Sequence, residues 1–144
     1  MPEPRWLSVE MISAIHDESL AAFGGLPGLR DAGLLDSAAH RARQLFHSGG
    51  TVTQFDLAAA YCAGTIPNHP FLDGNKRAGL LAARAFLFLN GYSLEPSEAD
   101  EVRVIVQFAA GELDEAFLSA WLAANSARSI APRARRQRGR RQQP

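Results

Sequence analysis

The chain predicts an all-α protein, a compact bundle of about six helices. Apolar residues recur at helical spacing along successive stretches, Gly or Pro closes most of those stretches, and no alternating run of strand length stands out. Ser8 can cap a first helix running to about Phe23, with Val9, Ile12, Ile15 or His16, Leu20 and Phe23 on one face and Gly24-Gly25 as its stop. The loop GGLPGLRD follows, dense in turn formers. A second helix extends from Leu34 to about His47 and stops at Gly49-Gly50. Thr53 can cap a third, through Asp56 to about Ile66, which Pro67 then ends or bends.

The run RAGLLAARAFLFLN from Arg77 to Asn90 gives a fourth helix. It is apolar nearly all round and closed by Gly91, which places it at the centre of the core. Ser97-Glu98-Ala99-Asp100 resembles a capping box for a fifth, with Val102, Ile105, Val106 and Ala109 at helical spacing before Gly111. Leu113, Phe117, Trp121 and Ala124 mark a sixth. Trp6 and Trp121 read as packing residues, and no internal repeat is present.

With 144 residues, of which 47% are hydrophobic, the chain can bury one real core. Its zero net charge conceals a split: residues 128–144 hold seven of the 15 basic side chains and none of the 15 acidic ones, so the remainder is acidic. We divide the chain into a helical domain, residues 1–127, and an arginine-rich tail, residues 128–144, which lacks apolar periodicity and is expected to be disordered. Such a tail can hold RNA nonspecifically through its phosphates. The plainer reading is a solvated tail, or one that folds back on the acidic domain. A single cysteine, Cys62, excludes a disulfide within the chain and reads as a buried, inert thiol. The N-terminus has no basic-then-apolar signal pattern, and the apolar run from Ala78 to Leu89 is too short to span a bilayer and is interrupted by Arg84. A soluble, cytoplasmic protein without membrane contact is expected.

The stretch HPFLDGNKR, residues 69–77, carries the chemistry. It leads into the fourth helix, whose first turn has backbone N–H groups without partners and the positive end of the peptide dipoles. Gly74 and Asn75 at that entrance let an anion approach the backbone, and Lys76 and Arg77 add full charges. Asp73 opposes an anion unless a cation intervenes, which points to Mg²⁺ bridging its carboxylate to phosphate oxygens. His69 is the group there that titrates near neutral pH and is the candidate general base. The bland alternative is a His-Pro loop and a tight DGN turn. Against it stands the electrostatic cost of placing Lys-Arg at the positive end of a helix.

These nine residues resemble the signature of the Doc branch of the Fic/Doc superfamily, His-x-Phe-x-Asp-(Gly/Ala)-Asn-Lys-Arg, at every constrained position. The resemblance runs from about Leu7 to about Leu122, through IHDESLAAFGG, GLRDAGLLDSAAHRA, LNGY and a closing WL. Wider Fic proteins carry Gly where this chain has Lys76, and a second Arg where it has Leu80, so both positions favour the Doc branch. The resemblance implies a toxin of a toxin–antitoxin pair that moves the γ-phosphate of ATP to a protein hydroxyl, the family's known target being a threonine of elongation factor Tu. It also implies a Phd-like antitoxin whose C-terminal segment folds into a groove near the active site.

By the same resemblance His69 would deprotonate the acceptor and Asp73 would hold Mg²⁺. Gly74 and Asn75 would bind phosphate oxygens, Lys76 and Arg77 would neutralise charge developing in transfer, and Phe71 would be the buried anchor of the loop. Arg30 and Asp31 fall in a segment that lies near the active site in the family, so docking of target or antitoxin is one reading. A helix-capping Arg-Asp pair is the other. His16 reads as structural or surface, and His40 with His47 as no zinc site. AMP transfer to a protein hydroxyl stays open within the enzyme class, and outside it a noncatalytic binding module that uses the basic tail.

Overall fold

The computed structural model describes residues 1–130. Six helices appear in the order expected: α1 (Val9–Phe23), α2 (Ala32–Phe46), α3 (Gln54–Thr65), α4 (Asn75–Leu89), α5 (Glu98–Ala109) and α6 (Glu115–Ala124). The caps are local and were legible. Ser8 accepts from the Met11 N–H, and Thr53 and Asp56 exchange both bonds of a capping box. Ser97 accepts from the Asp100 N–H, but the Asp100 carboxylate does not return that bond. It takes the Trp121 indole N–H at 2.8 Å and the Arg103 guanidinium instead, tying α5 to α6.

Two expectations are corrected. The expectation of no strand fails: β1 (Tyr92–Leu94) and β2 (Ser126–Arg128) form an antiparallel pair with Tyr92 opposite Arg128 and Leu94 opposite Ser126. Three residues are too few to show an alternating pattern, and β2 ends in what read as tail. Arg128, placed at the start of that tail, pairs in the sheet and sets its guanidinium over the Tyr92 ring at 5.3 Å. The disorder and RNA contact expected of the tail concern, from residue 131 onward, positions outside those described.

The centre of the core is α3 rather than α4. Its residues Leu57 to Cys62 are buried without interruption, and it packs against α2, α4 and α6. Polar groups sit at its two ends, whereas α4 carries Arg84 mid-helix and leaves Phe88 half exposed. Small side chains set the spacing. A methyl on Gly64 would stand 3.0 Å from the Ala38 backbone on α2, and one on Gly79 would stand 2.6 Å from Ile66. Cys62 lies in this seam, its thiol on the Gly79 carbonyl at 3.3 Å, where burial pushes it up to about 12.

The chain before α1 is fastened to the far end of α4. Asn90 clamps both backbone groups of Arg5, and Trp6 stacks on Phe86. No helix among the described residues is long and apolar enough to cross a membrane.

Gly79→Ala tests the seam. Helix propensity alone favours Ala by about 1 kcal/mol, but Ile66 is 1% exposed and must be displaced, and overpacking of this kind costs roughly 1–3 kcal/mol. The expected outcome is a lower urea midpoint at an unchanged m-value; a midpoint at or above that of the native chain would show that the seam yields freely.

Candidate functional site

The motif residues lie on the loop between α3 and α4 and on the first turn of α4. The loop continues α3 through the His69 N–H, which donates to the Thr65 carbonyl at 3.1 Å. It then turns at His69, whose φ of 51° is the only positive value for a non-glycine among the described residues. A side chain in that conformation costs roughly 1–2 kcal/mol. Arg30 helps to offset it, its guanidinium donating to the His69 carbonyl at 2.6 Å and the Asn68 carbonyl at 2.8 Å. The backbone N–H groups of Arg30 and Asp31 both donate to the Pro70 carbonyl, and the Leu72 N–H donates to Gly28. The GGLPGLRD segment thus lies along the loop as a short ladder, with Leu29 and Phe71 bridged. The Asp31 carboxylate meanwhile accepts from the Leu34 N–H and caps α2. The capping reading of this pair is therefore right for Asp31, while Arg30 holds the loop.

Beneath the loop, Phe71 is 3% exposed and lies flat against His16, ring centres 3.8 Å apart and planes within 5°. His16, also buried, places Nε2 2.8 Å from the Asp73 carbonyl. Asn75 is the third support. Its Oδ1 accepts from the Phe71 N–H at 3.0 Å, and its Nδ2 donates to the Phe71 carbonyl at 2.9 Å and reaches His69 Nδ1 at 3.3 Å. The phosphate contact expected of Asn75 is thus left to its backbone N–H, because its amide is spent on the loop.

A donor at Nδ1 leaves the proton of a neutral His69 on Nε2, where it can be given but no proton can be taken. Base action at Nε2 needs the other tautomer, with the ring turned away from Asn75. The contact is long and the ring exposed, so that turn breaks little.

Helix α4 begins two residues earlier than expected. Gly74, left-handed at φ 77°, is its N-cap, so Asn75 and Lys76 join Arg77 as its first three helical residues. No side chain caps α4, and its first internal bond runs from the Ala78 N–H to the Gly74 carbonyl, so the three preceding N–H groups project from the end. Lys76 and Arg77 are exposed there, bordering a cleft of about 260 Å³ whose other wall is Val102 and Val106 of α5. The Arg77 guanidinium lies over the Phe23 ring at 4.2 Å.

Asp73 sits across from them. Its Oδ2 accepts from the Leu26 N–H at 3.0 Å and its Oδ1 from the Gly74 N–H at 2.9 Å. Only a glycine suits position 25, whose φ is 127° and where a Cβ would stand 3.0 Å from that Oδ2. The Leu26 and Gly74 N–H groups hold the Asp73 carboxyl below its ordinary value, with His16 and Lys76 acting in the same direction. The carboxylate is exposed and ionised at neutral pH, so its remaining lone pairs suit a hard cation. The described residues hold no cluster of three or more His, Cys, Asp or Glu that could ligate a metal. A Mg²⁺ here would take one carboxylate and complete its shell from phosphate oxygens and water.

Sequence reasoning missed two parts of this arrangement. His16 touches the site 57 residues away in sequence, and the Leu26 N–H fixes Asp73 from a loop read only as shaped. Beside the site, α1, α4 and β1 enclose a groove of about 570 Å³ lined by Ile15, Ser19, Leu81, Arg84, Phe88 and Tyr92. Phe23 borders both this groove and the Lys76-Arg77 cleft. Ser19 is 3% exposed, and its hydroxyl has no partner among the described residues.

The Fic/DOC family profile matches residues 6–87. The protein kinase doc of Escherichia phage P1 is 33% identical over 111 residues, which is 76% of this chain and 86% of that protein. The toxin Doc of Mycolicibacterium smegmatis is 40% identical over 74 residues, 51% of this chain and 57% of that protein.

Because the folded-state value of Asp73 is depressed, its contribution to stability is complete above the unfolded value near 3.8 and disappears as pH falls through the folded value. Asp73→Asn is therefore expected to lower the thermal midpoint by a constant amount at neutral pH, with the gap from the native chain closing below about pH 3.8. A gap that persists unchanged at pH 2 would mean that the charge on Asp73 contributes nothing.

Proposed function

Because the chain belongs to the Fic/DOC family, within its Doc branch, we propose that it is a Doc-type toxin that transfers the γ-phosphate of ATP to a protein hydroxyl. The observation that carries this reading is the uncapped amino end of α4, flanked by Lys76 and Arg77 and faced by ionised Asp73 and by His69. Phosphoryl transfer asks for positioning and charge stabilisation more than for covalent chemistry, and those are what this end offers. In the proposed reaction the N–H groups of Asn75, Lys76 and Arg77 bind the phosphate oxygens and the two side chains neutralise charge as it develops. Arg77 must leave Phe23 to do so. His69, turned to its Nδ1–H tautomer, takes the hydroxyl proton at Nε2. Asp73 would hold Mg²⁺, which would supply charge neutralisation to the phosphate.

Leu80 supports γ-phosphate transfer over AMP transfer, because it is 7% exposed and buried where the wider Fic pattern has an arginine. The name of the phage relative, protein kinase doc, points the same way. We take the acceptor to be a threonine of elongation factor Tu, as the family resemblance implies, so that translation and growth are arrested. We assign the groove along α1 and α4 to a Phd-like antitoxin. Its apolar walls suit the apolar face of an amphipathic helix.

Incubating the full chain with elongation factor Tu and ATP labelled at either the α- or the γ-phosphate tests the reaction. Only γ-label should reach the acceptor, and His69→Ala should lower the rate by about 10²- to 10⁴-fold. Transfer of α-label would make the chain an AMP transferase, and transfer of neither would leave the binding module. For the partner, Phe88→Glu, which puts a charge on an apolar groove wall at a half-exposed position, should weaken binding of a Phd-like antitoxin by tenfold or more, roughly 1.4 kcal/mol. Label transfer by the free toxin should be unchanged, and full-strength binding by the variant would place the antitoxin elsewhere.

A further inference from the structure

His16 has no part in the reaction as drawn above, yet it is one of the few buried polar side chains and lies directly under the motif. Its ring does two things at once. One face covers Phe71 in parallel at 3.8 Å, and its edge brings Nε2 to 2.8 Å from the Asp73 carbonyl oxygen. A carbonyl oxygen can only accept, so Nε2 is the donor. The peptide plane that carries this carbonyl also carries the Gly74 N–H, which donates to the Asp73 carboxylate at 2.9 Å. Fixing one end of the plane therefore fixes the other. Gly74 lies close enough that a Cβ there would meet Nε2 at 3.5 Å, and the residue that follows it opens α4.

Resting on the phosphate-transfer reading, we infer that His16 is a positioning residue: through the Asp73–Gly74 peptide it sets the direction of the Asp73 carboxylate and of the first N–H groups of α4. The two demands can be removed one at a time. Phe would keep the flat apolar face and lose the donor, while Gln would keep a donor and lose the face. The choice of a histidine in a buried site, where an unsatisfied polar edge is costly, follows from needing both.

The test compares the native chain with His16→Phe and His16→Gln, in steady-state γ-phosphate transfer and in the ¹⁵N–¹H amide resonances of Gly74 and Asn75. His16→Phe should stay folded and lose roughly 10- to 100-fold in kcat, with KM for ATP changed far less, as expected for a displaced rather than a missing group. Its Gly74 resonance should shift, and His16→Gln should restore both the resonance and most of kcat. Native kcat and a native Gly74 resonance in His16→Phe would overturn the inference. So would a loss that His16→Gln fails to rescue, or one matched by the fraction unfolded at the assay temperature. If the native chain transfers no γ-phosphate, the phosphate-transfer reading falls, and the Gly74 and Asn75 resonances alone decide whether His16 sets this peptide.

Discussion

The carbonyl oxygens of Asn68, His69, Pro70, Phe71 and Asp73 each accept a hydrogen bond from a donor belonging to another part of the protein. Arg30 supplies the first two from its side chain, the Arg30 and Asp31 backbones the third, the Asn75 amide the fourth and His16 the fifth. A loop whose oxygens are drawn inward in this way cannot present them to solvent at the site. The N–H groups at the start of α4 are left as backbone dipoles that could meet an anion. The positive character of the site thus comes from backbone orientation as well as from Lys76 and Arg77.

That orientation is expensive in local terms and is held by tertiary contacts. His69 adopts a left-handed turn, Gly25 and Gly74 are needed where a Cβ would be strained, and two cations stand at the positive end of a helix. The small-residue seam between α2, α3 and α4 compensates indirectly. By bringing Ala38, Gly64, Ile66 and Gly79 into close contact, it fixes where α3 ends and α4 begins, and so the span that the loop must bridge. Strain of this kind persists only where the surroundings over-determine the conformation, as six donor atoms from four residues do here.

What the sequence disclosed was what depends on neighbours along the chain. The caps at Ser8 and Thr53 and the stop at Gly24 are set by residues within one turn, so they could be read directly. The start of α4 was placed at Arg77 because Asn75-Lys76 looks like polar loop, whereas the Gly74 conformation puts both residues in the first helical turn. The pair β1–β2 was missed because its register joins Tyr92 to Arg128 across two helices and leaves no mark in three residues. The motif itself was visible, but its supports were not. Nothing in IHDE announces that His16 lies under Asp73, and the role of Arg30 is to hold carbonyl oxygens, a task open to any well-placed donor. Asn75 was expected to bind phosphate oxygens; its amide is taken up within the loop, which leaves its backbone N–H for that contact.

The helix α1 connects the two regions that any account of this protein must relate. His16 points from it to the motif loop, Ile15 and Ser19 line the groove, and Phe23 at its end borders both the groove and the cleft while carrying the Arg77 guanidinium. Spacings of four residues put Ile15, Ser19 and Phe23 along one side, with His16 one residue round from it. An occupant of the groove would therefore rest on the helix that sets the Asp73–Gly74 peptide and against the ring on which Arg77 is parked. Covering Phe23 would leave Arg77 either trapped on the ring or displaced toward the anion end, and these two outcomes have opposite effects on charge at the site. Which of them occurs depends on whether the occupant brings an acid to compete for the guanidinium, because a carboxylate binds it through paired hydrogen bonds that an aromatic face cannot offer.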